Sequence, residues 1–152
     1  MRVFALAVAL SSLAFIAFAE HSGSRVEYVG GTRPDIPANN SGDIRVTDEV
    51  YFVFVSNHTK VKIPYERINL LEYGQKVDRR YIVAVVISPL FLLAKKRQHF
   101  LTVGFQDDDG RQQAMVFRVD KSDVRMTLVA LEARTGQRVQ YQDDESRMAG
   151  KG

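Results

Sequence analysis

The sequence contains no cysteine. Neither a disulfide framework nor a lipid-modified cysteine can hold the chain, so its stability has to come from packing. Catalytic signatures are missing as well: there is no G-x-S-x-G elbow, no phosphate-cradling glycine loop and no H-E-x-x-H pair. The three histidines, His21, His58 and His99, lie far apart, and none has a second histidine or a cysteine at ligand spacing. Asp107-Asp108-Asp109-Gly110 offers oxygen ligands but lacks the spacing and downstream glutamate of a calcium loop. No catalytic residue, cofactor or metal is therefore expected, although two carboxylates that meet only in space leave no linear signature. Charge of one sign is also scarce, since the formal net charge is only +3. That excess is too mild to imply nucleic acid as a partner, and Tyr65, Tyr73, Tyr81 and Phe100 are expected to pack in the core instead of stacking on bases.

Long apolar runs are few, and two stand out. The first lies within MRVFALAVALSSLAFIAFA, where Arg2 precedes an apolar stretch from Val3 to Phe18 and Ala17-Phe18-Ala19 forms a small-x-small cleavage site. Residues 1–19 are expected to be a signal peptide, with Glu20 as the mature start, and the alternative is an uncleaved anchor. The chain would thus cross the inner membrane to the periplasm or the extracellular side. With 152 residues and 45% hydrophobic content, the rest can build one compact core.

After the leader, residues 20–42 read as an N-terminal segment and linker, with one weak strand at Arg25 to Val29 and a glycine- and proline-rich stretch from Gly30 to Gly42. A β-rich domain is expected over 43–141. Its strands are Asp43 to Thr47, Val50 to Val55, Lys60 to Ile63, Arg67 to Tyr73, His99 to Phe105 and Arg111 to Val119. The last two flank Asp109-Gly110, a strong hairpin turn. The period then changes. Val124, Leu128 and Leu131 fall at i, i+4 and i+7, with Asp120 or Ser122 as N-cap and Gly136 as the stop, which predicts a helix to about Arg134. Arg138 to Tyr141 is a further short strand, and 142–152 is a polar tail expected to fray.

Six or seven antiparallel strands followed by one amphipathic helix make an α+β arrangement, best satisfied by a small antiparallel β-barrel capped by its C-terminal helix. The segments Ile63 to Arg80, Lys95 to Val119 and Leu128 to Val139 carry a resemblance to pleckstrin-homology-like (PH/GRAM-like) modules. More closely, they resemble a group of uncharacterised secreted bacterial proteins with that barrel. The resemblance implies the barrel and export, and it implies binding of a lipid head group, a peptide or a protein as a class. It does not extend to phosphoinositides, because the basic residues here flank an apolar insert instead of lying in one short hairpin loop.

That insert, 79–97, is the second apolar run and the strongest candidate site. From Tyr81 to Ala94 no residue is charged, and the run is clamped between Arg79-Arg80 and Lys95-Lys96-Arg97. Between Lys60 and His99 nine basic residues face three acids, so the positive excess of the chain gathers around it. As a helix its fourteen uncharged residues would reach about 21 Å, short of the roughly 30 Å hydrocarbon core, and Pro89 divides it further. One reading buries the run in the barrel. The other makes Arg79, Arg80, Leu90, Phe91, Leu92, Leu93, Lys95, Lys96 and Arg97 a contact surface. Its partner would be an anionic membrane surface, an envelope protein or a second copy forming a homo-oligomer. The expected function is an exported binding or scaffold module, not an enzyme, with a periplasmic protein-interaction or self-assembling module lacking lipid affinity as the alternative.

Overall fold

β-branched and aromatic residues alternate with polar ones through most of the chain, and the computed structural model, which describes residues 23–57, 59–76 and 98–151, turns these runs into strands. The first strands in order are β1 (Gly23–Gly31), β2 (Asn40–Arg45), β3 (Tyr51–Ser56) and β4 (Lys60–Pro64). Period-two alternation is cleanest in β4, where Val61 and Ile63 are buried and Lys60 and Lys62 exposed. Pro64 ends that strand, since it has no N–H to give. A single 3-10 turn, Tyr65–Arg67, leads into β5 (Ile68–Gly74). Beyond the insert come β6 (His99–Gln106), β7 (Gln112–Val119), helix α1 (Val124–Thr135), β8 (Gln140–Tyr141) and helix α2 (Asp144–Lys151).

Among the described residues eight strands form one sheet in the order β4-β3-β2-β1-β7-β6-β5-β8. Every pairing is antiparallel except β5 with β8, where Glu72 and Tyr73 run parallel to Gln140 and Tyr141. β4 and β5 are six strands apart, roughly 29 Å across a flat sheet, yet only Tyr65–Arg67 separates them in sequence. Four Cα steps span at most roughly 14 Å, so the sheet must roll until this corner closes up. β1 is where it bends. The first part of β1 pairs with β2, the last part with β7, and the register shifts between Tyr28 and Gly30. At Gly31 a Cβ would lie 2.1 Å from the Ala114 carbonyl oxygen, so the close approach to β7 admits only glycine.

The rolled sheet encloses an aromatic centre in which Phe117 meets Phe54 at 5.1 Å between ring centroids and Tyr28 meets Phe54 at 6.2 Å. Helix α1 lays Val124, Leu128 and Leu131 on this core, and Thr127 and Ser24 share a hydroxyl–hydroxyl hydrogen bond at its edge. Gly136 stops α1 in the left-handed conformation, and its N–H reaches the Glu132 carbonyl at 2.9 Å.

The class is α+β, and four expectations are corrected in detail. The sheet has eight strands and is open, because among the described residues no ladder joins β4 to β5; a closed barrel is not observed. The Gly30 to Gly42 stretch contains the end of β1 and the start of β2, and Ile36 in the connection is buried. Its glycines permit a bulge and close packing, where composition suggested a linker. The N-cap is Asp123, not Asp120 or Ser122, while Asp120 Oδ1 accepts the Ser122 N–H and hydroxyl one turn earlier. The tail forms α2, started by Asp143, whose Oδ1 accepts the Ser146 N–H at 2.6 Å, with Ser146 fully buried. The leader, His21, His58 and the insert lie outside the described residues.

Candidate functional site

Every residue named as a contact candidate, Arg79, Arg80, Leu90 to Leu93 and Lys95 to Arg97, also lies outside the described residues. What the structure does place is the root from which the insert leaves and to which it returns. Gly74 of β5 is paired with Phe100 of β6, so both ends of the insert emerge at one end of the sheet.

Each end is fixed by a group distant in sequence. On the outgoing side Gln142 acts as a clamp: its Oε1 accepts the Lys76 N–H at 3.0 Å, and its Nε2 donates to the Lys76 carbonyl at 2.7 Å and to Glu72 Oε1 at 2.6 Å. Glycine at position 74 makes room for it, since a Cβ there would sit 2.1 Å from Gln142 Oε1. On the returning side the His99 ring stacks on Tyr73, with centroids 5.6 Å apart and planes 16° from parallel. Tyr141 closes the edge of Tyr73 at 6.1 Å. β5, β6, β8 and the start of α2 therefore converge on the root.

The chemistry of the root is buried and polar. His99 and Tyr73 are almost wholly buried, and among the described residues His99 Nδ1, Gln98 Oε1 and the Tyr73 hydroxyl have no hydrogen-bond partner. Burial, reinforced by Lys121, holds the His99 pKa below its ordinary value, against the opposing pull of Glu145, Asp143 and Asp120. Burial likewise pushes the Tyr73 phenol up to about 12. Asp143 is held below the usual carboxylate range by the Ser146 N–H, and Asp120 by the Ser122 hydroxyl. Beside them an open cleft of about 730 Å³ is lined by Arg25, Gln98, His99, Arg118, Lys121 and Glu145, and Arg118 forms an ion pair with Glu27 across β1 and β7. Among the described residues no group of three His, Cys, Asp or Glu is placed to hold a metal, and no helix is long and apolar enough to cross a membrane.

A second surface was not anticipated. Counting only the inward period of α1 leaves out Met126 and Val129, which are 83% and 57% exposed, together with exposed Ala133. A groove on one side is lined by Gly23, Val46, Thr47, Met126 and Ala130, and another on the far side by Val129, Ala133, Val139 and Tyr141. The signal was present in VRMTLVALEART, whose apolar residues populate both faces of the helical wheel. In comparisons with known proteins, no family model matches the chain and no curated protein matches it.

Proposed function

We propose that this chain is an exported, non-enzymatic binding or scaffold module, and that it contacts membrane lipid through the basic-flanked apolar insert, 79–97. The fold proposed with it is PH-like, with the open sheet rolled on itself and capped by α1: the rolling at the Pro64/Ile68 corner and the placement of α1 on the core both favour it. The observation that carries the functional reading is the root. Lys76 is clamped by Gln142 and His99 is stacked on Tyr73, so a rigid frame presents the insert from one end of the sheet. Meanwhile the fully buried side chains of the described core, Phe52, Phe54, Tyr28, Phe117, Leu71 and Leu101 among them, already pack on one another and on α1.

The reading is tested by changing Leu90 and Phe91 to Ser. A contact surface loses vesicle binding and keeps its unfolding midpoint, whereas core residues lose several kcal/mol of stability. The second reading, a periplasmic protein-interaction or self-assembling module, draws on the acids Asp120, Asp143 and Glu145 grouped about the root, which would favour a basic partner over an anionic lipid. Binding that persists without lipid and ignores vesicle charge would establish it.

A further inference from the structure

We infer that the outer face of α1, the stripe of Met126, Val129 and Ala133, is a second lipid-facing surface, distinct from the insert. The inference shares with the proposed function a lipid bilayer as partner, but none of its residues.

Two observations carry it. A helix apolar on both faces is ordinarily covered on both, yet α1 meets the core only through Val124, Thr127, Leu128 and Leu131, and leaves Met126 and Val129 open. Lipid needs no matching protein surface. The second observation is charge. Arg125, Arg134 and Arg138 are exposed around the stripe, and no ion pair engages them among the described residues. Glu132, the acid on the same helix, turns its carboxylate inward to accept the Val139 N–H at 2.8 Å. The border of the stripe is thus cationic, as an anionic bilayer surface requires.

The test exploits the absence of tryptophan from the sequence. Met126→Trp gives a single reporter at a site exposed enough to accept it, Val129→Trp is its replicate, and Phe91→Trp reports on the insert. Each is placed in the chain from Glu20, which retains every described element, and titrated with phosphatidylcholine vesicles with and without one-third phosphatidylglycerol. A blue shift of the Met126→Trp and Val129→Trp emission on the anionic vesicles is expected, with apparent affinity falling about fivefold for each arginine changed to Gln among Arg125, Arg134 and Arg138. Unchanged emission from both reporters at lipid concentrations where Phe91→Trp shifts overturns this inference and leaves the insert reading standing. The reverse pattern supports this inference and removes the insert reading. A shift that appears without lipid as protein concentration rises overturns it in favour of a second copy, and no shift at any position overturns both.

Discussion

Leu128 and Met126 stand two residues apart on α1, and truncating each to Ala should have sharply different consequences. Leu128 is 1% exposed and faces the core; Met126 is 83% exposed and faces away. Leu128→Ala removes the buried side chain and leaves a cavity between α1 and the sheet, which costs about 2–5 kcal/mol. Met126→Ala removes a side chain of which only about one-sixth is buried. A full burial is worth about 1.5–3 kcal/mol, so the loss is at most about 0.5 kcal/mol, and the helix preference of alanine returns a few tenths. Urea unfolding followed by far-ultraviolet circular dichroism measures both. The m-value should stay constant while the midpoint moves strongly for Leu128→Ala and hardly at all for Met126→Ala. A loss above about 1.5 kcal/mol for Met126→Ala would refute the reasoning, because it would mean that something in the chain already covers the outer face of α1.

Three further outcomes follow from the same geometry. Because burial lowers the His99 pKa in the fold, the unfolded chain takes up the proton first; the His99 contribution is intact above pH 6.5 and is lost as pH falls below that value, so the difference in stability between wild type and His99→Gln should shrink in acid. Burial pushes Tyr28 and Tyr73 up to about 12, which keeps their phenols neutral in the fold; stability should be full below pH 10 and fall as pH rises from 10 towards 12, and Tyr73→Phe, which deletes an unpartnered hydroxyl, should cost no more than about 0.5 kcal/mol at pH 7 while flattening that alkaline loss. Gly31→Ala places a Cβ against the Ala114 carbonyl at φ 158°, and thermal unfolding should show a loss of more than about 2 kcal/mol.

Local signals were the legible ones. The Asp109-Gly110 step does form the β6–β7 turn, with Asp107 Oδ1 accepting the Asp109 and Arg111 N–H groups at 3.0 and 2.8 Å, because a hairpin turn is specified by the residues inside it. The stop of α1 at Gly136 is specified in the same way. What the sequence hid depends on partners far along the chain. Gly30 and Gly31 look like linker residues until Ala114 is seen beside them, and the same composition serves a bulge in a central strand. Asp143 looks like part of an acidic tail until its carboxylate is seen starting α2. At the candidate site, the clustering of cations around an uncharged run is written in the sequence. The clamp is not, since Gln142 meets Lys76 across 66 positions and nothing in either neighbourhood marks the pair.

The central claim, that the insert is a lipid contact, is tested most directly by cosedimentation of the chain from Glu20 with neutral and anionic vesicles at low and high salt. A variant with Lys95, Lys96 and Arg97 changed to Gln serves as the comparison. The account predicts binding to anionic vesicles that weakens with ionic strength and is largely lost in the variant, since each cation contributes about 1 kcal/mol near such a surface. A folded wild-type protein that stays in the supernatant under every condition would contradict it.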